Sequence, residues 1–331
     1  MHETKLIMIE GIPGSGKSTT AQMISRMLKR KGISHKWWYE EERGHPIYVY
    51  EDKESMLRIV DDLAGGRYRQ VVELALLRWK QFVASVERSS DVVIVDSCLF
   101  GYLTWSLFPL DVVWPEITEY VREVERILKP LNPCVIYFYQ TELEATLRNI
   151  CERRGGGTES SFIRAATQCA YGLSRGLYGF DGMVTYWQDY RKLTDELFGS
   201  LACQKIAIDN SDGNWDQYAA TIAEFLDIEQ VAEVPWREEH PLEHLVGSYL
   251  AEGEGCPDCQ ICIEEGFLIA DGLPYVWRKT VLLPVSQHVF DVQSLPFQVT
   301  FGDEGDGRLR LHLDGPALLD GMVDYRFTRL D

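Results

Sequence analysis

Cationic charge is scarce in this chain. Against 51 Asp and Glu, the 331 residues carry only 33 Lys and Arg, a balance that argues against a nucleic-acid backbone as partner. No run of about 18 apolar residues is present to span a bilayer, and the N-terminus enters a strand rather than a signal peptide. Thirteen prolines and 27 glycines are too dispersed for a disordered tract. Cysteines number eight; without a secretory signal they read as reduced thiols in a cytoplasm, not as a disulfide framework. No N-K-x-D motif occurs, which disfavours guanine recognition. What remains is ordinary globular material, 45% apolar and 25% charged, long enough for two domains.

Charge and texture divide the chain. Residues 236–331 hold 17 acidic and 7 basic residues, a net of −10. A change of pattern near Glu233-Val-Pro-Trp-Arg237 places the boundary there, giving domains 1–235 and 236–331.

The first domain is organised around Gly11-Ile-Pro13-Gly14-Ser15-Gly16-Lys17-Ser18, which fits the G-x-x-x-x-G-K-[ST] phosphate-binding loop at every defined position. A short apolar run, Lys5–Glu10, precedes it, and Thr19–Lys31 follows with apolar residues at helical spacing. That order aims backbone N–H groups and a positive helix end at a polyphosphate, with Lys17 neutralising charge and Ser18 available to Mg²⁺. Further buried-strand runs occur at Asp91–Asp96, Cys134–Tyr139 and Gln204–Asp209, with a more polar one at Ile33–Tyr39. Helical stretches lie between them, which predicts an α/β parallel sheet with helices on both faces. Ligands in such sheets sit beyond the carboxyl ends of the strands. The ends hold the glycine-rich loop, Glu40–His45, Asp96-Ser97, Gln140-Thr141 and Asp209-Asn210.

The order of elements resembles the thymidylate kinase and deoxynucleoside kinase group of P-loop kinases over residues 5–228. Gly11–Ser18, the acidic turn after the second strand, Leu76-Leu-Arg78-Trp-Lys-Gln81, Asp96, Arg153-Arg154-Gly-Gly-Gly157 and Lys205–Asp209 before Asn214-Trp215 carry the likeness. It implies a sheet in 2-3-1-4-5 order, an arginine-bearing lid, and transfer of the ATP γ-phosphoryl with Mg²⁺. Gly11, Pro13, Gly14, Ser15, Gly16, Lys17, Ser18 and Thr19 would hold the nucleotide, and Ser18 and Asp96 the Mg²⁺. Lys17, Asp96, the lid cations Arg153 and Arg154, and a base drawn from the acidic turn, here Glu41, would form the catalytic set. Glu42, Arg43 and Arg78 would face the acceptor. The chain departs from the family at Asp96-Ser97-Cys98, where an arginine ordinarily follows the acidic residue. Unless Arg43 or Arg78 substitutes, losing that arginine tips the expected acceptor from a nucleoside monophosphate toward a hydroxyl of a nucleoside, sugar or antibiotic-like molecule. The alternative is an ATP-binding regulator whose nucleotide state controls the second domain.

Beyond Leu242, short alternating runs separated by turns predict a small antiparallel β domain or partial barrel. Phrases such as Leu283-Pro-Val-Ser286 and Leu295–Phe301 loosely resemble the β half-barrels appended to penicillin-recognising serine hydrolases. Cys256, Cys259 and Cys262 have a thiolate spacing suited to zinc. Three local ligands fall short of the four a structural site needs, so His240, His244, His288 or a distant cysteine would have to complete it. The alternative is reduced thiols on a hairpin, with Cys262 sharing a strand face with Gln260.

Overall fold

The computed structural model describes residues 4–228, 241–253, 256–303, 305 and 307–330. The boundary expected near 233–237 and the candidate ligand His240 lie outside the described residues. The chain divides into two compact units: residues 1–40 with 44–230, and residues 41–43 with 231–331. Among the described residues no helix is long and apolar enough to cross a membrane.

The first unit is built on five parallel strands, β1 (Leu6–Gly11), β2 (His35–Trp38), β3 (Val92–Asp96), β4 (Cys134–Tyr139) and β5 (Gln204–Asp209), in the order 2-3-1-4-5. The helices are α1 (Lys17–Arg30), α2 (Lys53–Ala64), α3 (Tyr68–Glu87), α4 (Trp105–Leu107), α5 (Trp114–Leu128), α6 (Leu143–Arg154), α7 (Thr158–Thr167), α8 (Ala170–Ser174), α9 (Gly179–Ser200) and α10 (Trp215–Phe225). A π-helical turn, Leu99–Thr104, leads into α4.

Strand alternation explains why the central strands read as unbroken apolar runs. Leu6 and Met8 pack with Val93 and Val95 against Trp79 and Phe82 of α3, Val121 of α5 and Tyr186 of α9. Ile7 and Ile9 pack on the other face with Ile94, Ile136 and Phe138 against Ala21, Ile24 and Leu28 of α1 and Tyr218 and Ile222 of α10. Both faces of β1 are therefore covered, as a parallel sheet requires. Strand β1 lies between β3 and β4, so the strand order reverses there and opens a crevice at its carboxyl end. The glycine-rich loop occupies that end.

The second unit is a closed barrel of eight strands: β6 (Gly247–Ala251), β7 (Cys259–Glu264), β8 (Phe267–Asp271), β9 (Thr280–Pro284), β10 (Val289–Val292), β11 (Gln298–Asp303), β12 (Leu309–Asp314) and β13 (Asp324–Arg329). Each strand runs antiparallel to the next, and β13 returns to β6 through Phe327↔Ala251, Thr328↔Leu250 and Arg329↔Tyr249. The expected half-barrel is thus corrected to a full one, in which closure leaves no unpaired edge. Strand β9 begins only at Thr280, after Tyr275 and Lys279 in left-handed backbone conformations. Every second residue turns inward. Tyr249, Ile261, Leu268, Phe290, Phe301, Leu311 and Phe327 are all buried, and an eight-stranded barrel is just wide enough for such side chains to fill it.

Phe301 sits among Phe290 and Tyr249, with ring centroids 5.7 and 5.9 Å away. Phe301→Ala is expected to destabilise the barrel by about 3–5 kcal/mol, whereas Phe267→Ala, at a half-exposed strand start, should stay within about 0.5 kcal/mol. Urea unfolding followed by amide exchange of barrel strands measures both; equal effects would refute the packed-interior assignment.

Candidate functional site

The site begins where β1 runs out. Gly16 precedes α1 with φ 85° and offers no side-chain cap, and the first helical turn carries no acidic residue, so no carboxylate of the helix occupies its positive end, where an anion is favoured. The Lys17 side chain is buried and its Nζ donates to the Ile12 carbonyl at 3.1 Å, which curls the ammonium over the loop. The β5–α10 connection braces the loop: Asn210 Nδ2 donates to the Ser15 carbonyl at 2.6 Å, and the Trp215 ring lies against Gly16. A Cβ on Gly16 would stand 2.1 Å from that ring. Gly16→Ala should therefore cost about 1–3 kcal/mol in backbone strain and push the indole aside. Its fluorescence, with the other tryptophans as background, and the unfolding midpoint read out both effects; an unchanged midpoint would contradict them.

Asp96 ends β3 beside this loop. Ser18 Oγ donates to its Oδ2 at 2.6 Å and Trp37 Nε1 to its Oδ1 at 3.3 Å. Burial raises the Asp96 carboxyl well above its usual range and the Glu40 charge adds to this, while Ser18, Lys17 and Trp37 pull it back. Glu10, the last residue before the loop, is fully buried. Its carboxylate accepts from the backbone N–H groups of Cys98 and Leu99 at 3.0 and 2.7 Å through Oε1, and of Phe100 at 3.0 Å through Oε2. Burial pushes its carboxyl up to about 7, opposed by these N–H groups and by Lys17.

Of the acidic turn after β2, Glu40 belongs to this unit and its charge is felt by Asp96, Tyr48, Tyr50 and Cys98. Glu41, Glu42 and Arg43 belong to the barrel unit. There the Leu319 N–H donates to the Glu41 carbonyl at 3.1 Å, the Arg43 N–H donates to the Ala317 carbonyl at 2.8 Å, and Glu42 bridges Leu318. Around Glu40 lies an aromatic group. His45 stacks on Tyr48 at 4.1 Å, and Tyr48 lies 4.4 Å from Tyr102 and 5.1 Å from Tyr50. Burial pulls His45 down to about 3, so its imidazole is neutral. Arg78 is engaged by Glu51 at 2.8 Å.

Arg153 and Arg154 close α6, and Gly155, Gly156 and Gly157 follow with φ of 59°, 55° and 86° before α7 begins. The Arg154 guanidinium lies 6.0 Å from the Phe162 ring. Arg191 of α9 is a cation that sequence reading passed over. It reaches the carboxyl end of β4, donating to the Gln140 carbonyl and lying 5.3 Å from the Tyr139 ring. Glu10 was passed over too, because its partners are 88 to 90 residues distant in the chain.

Among the described residues no three His, Cys, Asp or Glu converge as metal ligands. A Mg²⁺ ion needs fewer, commonly one or two protein oxygens completed by phosphate and water, and Ser18 with Asp96 supplies such a pair. The cysteines fit zinc less well. Cys259 faces the barrel interior on β7 while Cys262 shares the outer face with Gln260 and Glu264, because positions three apart on a strand point to opposite sides. Burial pushes all three thiols up, Cys259 to about 12.

No family model matches the sequence, and no curated protein matches it significantly.

Proposed function

We propose that the chain is an ATP-dependent phosphotransferase, a P-loop kinase of the thymidylate kinase and deoxynucleoside kinase type, acting on a hydroxyl of a small acceptor. The observation that carries the reading is the 2.6 Å hydrogen bond from Ser18 to Asp96 beside the buried Lys17. It joins the two oxygen donors a divalent cation would use to the cation that neutralises phosphate. Bound Mg²⁺ would supply charge neutralisation at the transferring phosphoryl group. Gly11–Thr19 would wrap the phosphates with backbone N–H groups, and Arg153 and Arg154, on a hinge of three glycines, would close over them.

On the acceptor side a base is needed. Glu40 suits this role better than Glu41, since it shares the electrostatic environment of Asp96 whereas residues 41–43 group with the barrel. Two carboxylates and a neutral imidazole favour a hydroxyl over a second phosphate, which would call for unpaired cations.

The test incubates the protein with ATP, Mg²⁺ and a mixed pool of nucleosides, nucleotides and sugars. A phosphorylated product that Lys17→Ala abolishes supports the kinase. Acceptor-independent hydrolysis alone would replace it with the regulatory reading, in which nucleotide occupancy controls the barrel.

A further inference from the structure

We infer that Glu10 is a positioning residue that sets the alignment of Asp96 on Ser18, and so the affinity of the site for its divalent cation. The inference rests on the phosphate-site reading above.

The geometry is unusual for a strand residue. Glu10 is wholly buried, and the donors to its carboxylate are backbone groups. It accepts three successive backbone N–H groups, those of Cys98, Leu99 and Phe100. These belong to the segment that leaves β3 immediately after Asp96, with Cys98 capping the π-helical turn Leu99–Thr104 and Leu99 and Phe100 as its first two residues. A carboxylate at the N-terminus of such a turn satisfies donors that would otherwise be orphaned in the interior.

The intervening residue, Ser97, is held in the left-handed region at φ 60°, a conformation that costs a non-glycine residue energy and persists only where its surroundings impose it. The surroundings are visible. The Ser97 N–H donates to the Ile9 carbonyl at 3.0 Å, Glu10 grips the next three N–H groups, and Gly101 leaves the room that Ser97 occupies, since a Cβ there would fall 2.7 Å from the Ser97 Cβ. Adjacent residues of β1 thus hold the chain on the carboxyl side of Asp96. The carboxyl end of β1 also launches the loop that carries Ser18. Glu10 is therefore the rigid link between the two oxygen donors, Ser18 on one segment and Asp96 on the other. Groups that orient first ligands in this way commonly change metal affinity roughly 10- to 100-fold when replaced.

The experiment measures binding of a fluorescent ATP analogue at about pH 8, above the shifted Glu10 carboxyl, with and without Mg²⁺, for the full chain. Glu10→Gln keeps the shape and two of the three acceptances, but its amide nitrogen confronts the Phe100 N–H. Glu10→Asp keeps the charge and withdraws it by one methylene. Both should leave metal-free binding, which Lys17 governs, within about twofold, and weaken the Mg²⁺ dependence roughly 10-fold or more. The loss should be the larger in Glu10→Gln, since Glu10→Asp keeps the charge. If both variants gain as much affinity from Mg²⁺ as the parent chain, the inference fails. It also fails if metal-free and metal-dependent binding fall together with the unfolding midpoint, since that marks a purely structural residue. Absence of nucleotide binding by the parent chain would instead overturn the phosphate-site reading and this inference with it.

Discussion

Lys17→Ala is expected to abolish the proposed nucleotide binding and phosphoryl transfer while leaving the fold intact. The ammonium is buried and sits over the loop, where no bulk water screens its attraction for a phosphate oxygen. Two unit charges about 4 Å apart interact with about 4 kcal/mol at an effective dielectric of 20, which corresponds to roughly a thousandfold loss. A second effect adds to this. Lys17 pulls down the carboxyls of both Glu10 and Asp96, so its removal lets burial raise them further and leaves Asp96 less often ionised. The structural cost is small by comparison, because the side chain makes one hydrogen bond to Ile12 and the core face of α1 rests on Ala21, Ile24 and Leu28. Losing a single hydrogen bond costs about 1 kcal/mol. Lys17→Arg should not rescue the site, since the planar guanidinium cannot occupy the compact position of an ammonium. Titration calorimetry with ATP and Mg²⁺ decides the matter. Wild-type affinity in Lys17→Ala would remove the loop from the mechanism.

The legible parts of this molecule are those written in local sequence. Gly11–Ser18 announces itself because glycines, lysine and serine must fall at fixed spacing between a strand and a helix. The runs Leu6–Glu10, Val92–Val95 and Cys134–Tyr139 announce buried parallel strands because both faces are apolar. Pairing across long separations is harder to read. Alternation in Leu309–Asp314 says that one face is buried, not that β13 returns to β6, and β10 and β13 carry weak local signals because Val289–Val292 is short and Asp324–Arg329 has three charged or polar outward positions. The acidic turn shows the same limit. Glu40, Glu41 and Glu42 are chemically identical in sequence, and only backbone pairing of residues 41–43 with the strap 317–319 separates them from Glu40. Glu10 looked like the last residue of a strand, since nothing local discloses that its partners lie after β3.

Stability of the ligand-free first unit should fall as pH rises from about 4.5 to about 7, opposite to the usual behaviour of ion-paired carboxylates. The sign follows from Glu10. Its carboxyl has an ordinary value of 4.5 and is raised by burial to about 7 in the folded chain. Within that window the folded chain retains a proton that the unfolded chain has released, so raising the pH favours unfolding. The slope approaches about 1.4 kcal/mol per pH unit, and about 3 kcal/mol accumulates across the window. Above about 7 the contribution is complete and the curve flattens. Asp96 moves in the same direction, for the same reason of burial and because Glu40 stands near it. The acidic surface adds its own repulsion as it ionises, but that contribution is common to any variant. Comparison with Glu10→Gln therefore isolates the buried group: the variant should lose the Glu10 share of the slope between pH 4.5 and 7 and keep the share that Asp96 contributes. Amide exchange of β1 and β3 in urea follows this unit apart from the barrel. Parallel pH profiles for the two proteins would show that Glu10 keeps an ordinary carboxyl despite its burial. A cation bound by Asp96 and Ser18 should act the other way, holding Asp96 ionised, so that saturating Mg²⁺ and ATP move the stability maximum to higher pH.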